Sequence, residues 1–352
     1  PLSNPKIPDF DGVDTFEGNS FHSNAWDHDY DLTGKRVAVV GSGASAAQII
    51  PAIAADVGEL HVFQRTPHWV LPRHDRKFSS IKRELLKNRY VYGALRSAIY
   101  LGLETRVLGF KYWPGLLDVV AKRQALAHIN RQIKDPELRR KVTPDYTIGC
   151  KRVIVSSELY PALCRENVTL HDSEDGIDEI VPAGIVTRKG EKVELDAIVY
   201  ATGYDATDGV TTFTVTGHEG KPIGDLWSEF PRAYLGTSMP GFPNLFLMLG
   251  PNTGIGHTSA LFIMESQLHY ALDCIKRTRK GGHNAVEPTA EAEERWTDWI
   301  HTEMEGTVWA SGGCSSWYQN SNSGKVIAMY PGFSFDYRLK ASRFRTEDHV
   351  FT

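Results

Sequence analysis

Six residues, Gly41-Ser42-Gly43-Ala44-Ser45-Ala46, constrain this chain more than any other stretch. They read G-x-G-x-x-A and follow Arg36-Val37-Ala38-Val39-Val40, a short β-branched run of the kind that forms a buried parallel strand. A helix is expected from about Ala44 to Ala55, and Leu60-His61-Val62-Phe63-Gln64 reads as a second strand. Strand, loop, helix, strand is a βαβ unit, the core of a Rossmann fold. The first glycine of such a loop permits a tight turn. The second lets backbone approach a pyrophosphate, and the small Ala46 lets helix and strand pack closely. The helix start then offers N–H groups and a positive dipole end to phosphate. Alone the motif is weak, but between a clean strand and a helix it makes Gly41, Ser42, Gly43, Ala44, Ser45 and Ala46 candidate nucleotide contacts.

The end of the second strand tells which nucleotide. An NAD site usually places Asp or Glu there to hold the ribose 2'-hydroxyl. This chain has Gln64-Arg65-Thr66. No acid is present, and a guanidinium such as that of Arg65 pairs bidentately with a 2'-phosphate. The cofactor read from these residues is NADP, with Arg65 and Thr66 as contacts; the alternative is a solvated surface arginine.

Composition narrows the remaining classes. The 352 residues suffice for about two domains, and 41% hydrophobic with 23% charged residues is a soluble globular balance. A net charge of -4 and the lack of a long basic run argue against a nucleic-acid partner. Cys150, Cys164, Cys274 and Cys314 form no CxxC pair and have no metal-ligand spacing. They read as reduced thiols of a cytoplasmic protein. The thirteen histidines are scattered, so no metal site is expected. No apolar run approaches the ~20 residues that cross a bilayer. Pro1-Leu2-Ser3-Asn4-Pro5 is no signal peptide and lacks an initiator Met, which suggests processing or truncation.

Residues 1–33 are rich in Pro, Asp, Gly and Asn and read as an extended linker. Residues 78–142 read as a helical insertion, with candidate helices at 79–107 and 115–133. Within it, Tyr100–Phe110 and Tyr112–Val120 are apolar enough to line a pocket, a lid or a membrane-facing patch, the alternative being helices packed on the main body. Strands are expected at Arg152–Val155, Val168–Leu170, Asp196–Tyr200 and Asn244–Leu249. Ile180–Thr187 and Lys192–Leu195 look like a hairpin. Helices are expected at about Ser259–Arg277 and Pro288–Glu305, and the tail 310–340 reads as loop.

A second signature lies ahead of the glycine loop. Phe16-Glu17-Gly18-Asn19-Ser20-Phe21-His22-Ser23-Asn24-Ala25-Trp26-Asp27 reads F-x-G-x-x-x-H-x-x-x-W-D. It resembles the fingerprint of Baeyer-Villiger monooxygenases, flavoenzymes that insert one oxygen atom beside a ketone carbonyl. The resemblance continues in family order to about Tyr337, through Arg65, Lys151-Arg152, Ala201-Thr202-Gly203-Tyr204, Gly250-Pro251-Asn252-Thr253-Gly254 and Trp317. It implies an α/β fold: a Rossmann-like NADP-binding domain at 34–200 carrying the helical insertion, then the C-terminal part of a two-dinucleotide FAD-binding domain at 201–352. It implies Lys151 as a ligand of the 2'-phosphate and Arg152 as the catalytic arginine over the flavin. Ala201, Thr202 and Gly203 would pass close to cofactor. Asn252 and Thr253, less firmly Ser259 and Ala260, would face FAD, and Trp317 would sit on a loop that closes over NADP. His22 is implied as a hinge hydrogen bond rather than a proton donor. The implied reaction uses NADPH, FAD and O2, and a C4a-peroxyflavin turns a ketone into an ester or lactone.

The nearest enzymatic alternative is N- or S-oxygenation by a flavin-containing monooxygenase. One departure stands out: no G-x-G-x-x-G precedes the fingerprint. The resemblance therefore implies a chain lacking the N-terminal FAD-binding loop segment, with an inactive NADP-binding fragment as the second alternative.

Overall fold

The computed structural model describes residues 4–73, 75, 77–205 and 213–352. Two units divide the chain: Pro1–His74, Asp118–Ile148 and Arg152–Asp205 form the first, and Asp75–Leu117, Gly149–Lys151 and Ala206–Thr352 the second.

The strands of the first unit are β1 (Asn19–His22), β2 (Arg36–Val40), β3 (Glu59–Phe63), β4 (Val70–Leu71), β5 (Ile154–Val155), β6 (Val168–His171), β7 (Ile177–Val181), β8 (Gly184–Thr187), β9 (Lys192–Glu194) and β10 (Ala197–Tyr200). Among the described residues, five of them make one parallel sheet in the order β1-β10-β2-β3-β6. Both faces of β2 are buried. Val37 and Val39 join a cluster with Ala47, Ile50 and Leu60, while Ala38 and Val40 face Ile180, Ile185 and Ile198. This is why β2 is apolar at every position but its first, as parallel strands covered on both faces require. Arg36 caps the strand start instead, its guanidinium 2.9 Å from Asp196 and 2.6 Å from Glu194. The fold class is α/β, as the glycine loop and its flanking strands predict.

Several expectations are corrected. Part of the 1–33 linker is a strand: Asn19–His22 pairs with Ala197–Tyr200 at the sheet edge. Its polar residues hide it locally, and distant β10 supplies the pairing. The expected strand Ile180–Thr187 breaks after Val181, and β7, β8 and β9 form an antiparallel meander. Pro182 cannot donate to a ladder, and Gly184 takes φ +154 with any Cβ only 1.9 Å from the Val193 carbonyl oxygen. The expected Arg152–Val155 strand is ordered only at β5, which pairs with β4.

The second unit is mainly helical. The reading at 79–107 holds as Ser80–Leu85 and Arg89–Glu104, each N-capped by a side chain, Ser79 and Asn88. Helix Ala260–Gly281, capped by Ser259, packs with Ser334–Ser342 around Ile263, Tyr270, Tyr330 and Tyr337. Helix Ala290–Met304 is capped by Thr289. Asn244–Leu249 is not a strand. Asn244 and Leu249 take φ 61 and 55, left-handed values that break a ladder, and the Leu249 N–H goes to the Gln267 carboxamide at 2.9 Å. The 310–340 tail is not all loop, because Ser334 begins a helix whose first N–H reaches the Glu104 carboxylate at 3.2 Å.

The reduced-thiol reading is also overturned. Cys150 and Cys314, both in the second unit, form a disulfide across 164 residues, while Cys164 and Cys274 are free. Gly312 makes room for it, since a Cβ there would lie 2.7 Å from that of Cys150. Closing so long a loop removes denatured-state entropy worth about 5 kcal/mol. Cys150→Ser is therefore expected to lower the urea midpoint of the oxidised protein and to leave the fully reduced protein unchanged. Equal midpoints under oxidising conditions would contradict the bridge.

Candidate functional site

The glycine loop connects β2 to helix Ala46–Ile53 in the first unit. Gly41 takes φ +129, and a Cβ there would lie 2.3 Å from the Ala201 carbonyl oxygen. The loop thus turns so tightly over the end of β10 that no larger residue fits. This also explains Ala201: the first residue of the A-T-G segment lies under the first glycine of the loop, and its N–H donates to the Val40 carbonyl at 2.8 Å. Ser42 donates to the Thr66 carbonyl at 2.6 Å, so the loop is held against the segment that carries Arg65. Nothing lies within 4 Å of where a Gly43 Cβ would stand. No side chain caps the helix that follows, and Ser45 and Ala46 start it. Ala44 is exposed.

Arg65 is exposed at the end of β3 and pairs with no carboxylate among the described residues. Open space at Gly43, an uncapped helix start and an unpaired arginine on the adjoining strand fit a nucleotide pyrophosphate and a 2'-phosphate. Arg152, two residues before β5, is likewise exposed and without a carboxylate partner among the described residues. Lys151, half-buried, belongs to the second unit.

The fingerprint meets the A-T-G segment inside the first unit. The buried His22 donates from Nε2 to the Gly203 carbonyl at 3.0 Å and accepts at Nδ1 from the Asn24 N–H at 3.1 Å. Those partners select the neutral Nε2–H tautomer, and burial lowers the pKa of the ring below its ordinary value, opposed by the Gly203 carbonyl. Both nitrogens are engaged, so His22 latches two backbone segments. Tyr204 adds an edge contact to the His22 ring at 5.5 Å and a bond to Asn24 at 3.2 Å. Thr202 donates to the Lys6 carbonyl at 2.5 Å, and Trp26 packs edge-on against Phe21 at 5.0 Å.

In the second unit the Gly250–Gly254 turn precedes helix Ala260–Gly281. Asn252 takes φ 55 and spends its amide on the Val326 and Met329 carbonyls at 2.9 and 3.2 Å. Thr253 is fully buried and donates to the Gly250 carbonyl at 2.6 Å. Both side chains serve the fold, so the turn offers a flavin backbone groups rather than these two side chains. Ser259 accepts from the Leu261 N–H at 3.3 Å as the helix cap, and Ala260 is exposed. Trp317 is 45% exposed on its loop, its ring 4.6 Å from that of Tyr318.

The sequence does not announce a cluster around His257 in the second unit. The His257 side chain is wholly enclosed, and neither ring nitrogen has a hydrogen-bond partner among the described residues. Glu104 lies 3.7 Å away, too far to bond, with its carboxylate held by the N–H and hydroxyl of Ser334. Burial, and then the nearby Arg106, lowers the His257 pKa to about 4. No local signal announces the cluster, because Glu104, His257 and Ser334 come from three distant segments. A stability effect follows. An unfolded chain takes the proton near pH 6.5, the folded one only near 4, so protonation favours unfolding as pH falls between those values. Between pH 7 and 5 the term is about 2 kcal/mol. Urea midpoints should fall over that range, and His257→Asn should flatten the fall; an unchanged slope would contradict the assignment.

Comparison with known proteins agrees with these features. The family model described as flavin-binding monooxygenase-like matches residues 2–209. A Baeyer-Villiger monooxygenase of Pseudomonas aeruginosa is 45% identical over the whole chain, and one of Streptomyces coelicolor is 42% identical over 97% of it. The chain spans about two thirds, 66%, of the length of each. Among solved structures, cyclohexanone monooxygenase from Rhodococcus sp. Phi1 bound to NADP+ matches with a TM-score of 0.83 and 28% identity, over 99% of this chain and 73% of that one. An oxidised steroid monooxygenase bound to NADP matches with a TM-score of 0.82 and 29% identity, over 100% of this chain and 73% of that one. With its glycine loop, Arg65 and fingerprint all inside the matched residues, the chain belongs to the flavin-binding monooxygenase-like family, as its resemblance to Baeyer-Villiger monooxygenases implied.

Proposed function

We propose that the protein is an NADPH- and FAD-dependent monooxygenase that inserts one oxygen atom from O2 beside a ketone carbonyl, giving an ester or lactone. When bound, NADPH supplies the hydride and FAD the flavin at which O2 is activated. The N–H groups at Gly43–Ala46 bind the NADP pyrophosphate, and Ser42 holds that loop in register through Thr66. Arg65 takes the 2'-phosphate. The A-T-G residues Ala201, Thr202 and Gly203 pass close to cofactor in the first unit, and in the second the backbone of the turn around Asn252 and Thr253 faces FAD. Trp317 offers its exposed ring to a cofactor from a loop of the second unit.

The observation that carries the reading is Arg152, exposed and without a carboxylate partner among the described residues. A guanidinium stays charged at every working pH and does not give up its proton. Placed at the ketone, it stabilises negative charge as the carbonyl is attacked, without quenching that charge by protonation. N- and S-oxygenation needs no such cation, so the arginine favours the ketone. The relatives named Baeyer-Villiger monooxygenases support the same choice.

Among the described residues no helix is long and apolar enough to cross a membrane. The reading includes a cytoplasmic location, with the helical insertion making peripheral contact with a membrane. The test is the full-length protein supplied with FAD and NADPH and offered ketones, amines and sulfides in parallel. Ketone-dependent NADPH consumption with an ester or lactone product is expected. Oxygenated amines or sulfides with untouched ketones would reject it.

A further inference from the structure

Helix Arg89–Glu104 is 16 residues long, and the only buried residue along it is Glu104. Helix Ser80–Leu85 buries none. Large apolar side chains stand in the open instead: Ile81 is 76% exposed, Tyr90 73%, Leu101 61% and Leu85 57%. Large apolar side chains this exposed along two successive helices mark a surface that meets something other than water.

The charges on the same stretch say what that is. Between residues 77 and 96 the chain carries six cations, Lys77, Lys82, Arg83, Lys87, Arg89 and Arg96, against the single acid Glu84, a local excess of five in a chain of net charge -4. All six are exposed. Cations and rings alternate at close range, with Lys82 4.5 Å from the centre of the Phe78 ring and Arg89 4.9 Å from that of Tyr90. A second copy of this chain would bring a second positive face and be repelled. With 16 residues the longer helix falls short of the ~20 that cross a bilayer, so it suits the interface plane.

We propose that this face docks on an anionic phospholipid surface, its apolar side chains entering the headgroup layer while the lysines and arginines reach the lipid phosphates. This rests on the peripheral-contact reading above and specifies its chemistry. Each cation near such a surface is drawn to the lipid phosphates, and the long basic side chains lie along apolar surface while keeping their charges wet.

The experiment is co-sedimentation of the full-length protein with vesicles of phosphatidylcholine, alone or mixed with phosphatidylglycerol. Binding to the mixed vesicles, weak binding to the neutral ones and release by salt are expected. Lys82→Glu with Arg83→Glu and Arg89→Glu should weaken binding on the order of 100-fold, and Tyr90→Ser with Leu101→Ser should weaken it independently. Circular dichroism and NADPH affinity should stay unchanged in both variants. Equal binding to both vesicle types would leave peripheral contact standing and overturn the anionic recognition. Binding to neither would overturn both. Salt-insensitive dimerisation through the same residues would assign the face to a second copy instead.

Discussion

Arg152→Ala is expected to lower ketone oxidation roughly 100- to 1000-fold, the loss seen when one preorganised donor to a developing oxyanion is removed. The loss should appear in kcat, because the guanidinium acts on charge that arises during reaction and hardly on the ground-state ketone. NADPH affinity should barely change, since the proposal assigns that binding to Arg65 and the loop at 41–46. The exposed position of Arg152 makes the substitution structurally mild, so the melting temperature should hold. Arg152→Lys should recover only part of the rate, because an ammonium lacks the planar fork of donors. Steady-state kinetics with the full-length protein checks this. Full activity of the alanine variant would remove Arg152 from the mechanism.

The second large effect is on cofactor choice. Arg65→Ala should weaken NADPH binding roughly 10- to 100-fold, the worth of a charge-assisted pair with a 2'-phosphate. NADH carries no such phosphate, so its affinity should stay level and the preference between the two should narrow by the same factor. Titration of both nucleotides against the variant, in matched salt, gives the comparison directly. A uniform loss of both would mean that Arg65 supports the loop and does not read the phosphate.

What could be read in advance depended on the range of the interactions. β2, the glycine loop and β3 declare themselves within thirty residues, because a doubly covered parallel strand must be apolar throughout and because Gly41 sits where a Cβ would strike Ala201. β1 stays hidden because Asn19 and Ser20 are polar and its partner β10 is far along the chain. Asn244–Leu249 imitates a strand in composition, yet Gln267 claims the Leu249 N–H and the backbone turns left-handed at both ends. The first N–H of the helix at Ser334 is taken by distant Glu104, and the Cys150–Cys314 bridge spans 164 residues without local signal. The site follows the same rule. The residues of the G-P-N-T-G motif were legible, but not the direction of the Asn252 amide, which the 326–329 backbone takes up.

The central claim is that this protein places one atom of O2 beside a ketone carbonyl. It is tested most directly by running the full-length protein with FAD, NADPH and a ketone under isotopically labelled O2 and weighing the product. One labelled oxygen per ester or lactone, with one NADPH consumed, is the result expected. An unlabelled product, or NADPH oxidation that leaves every ketone intact, would contradict it.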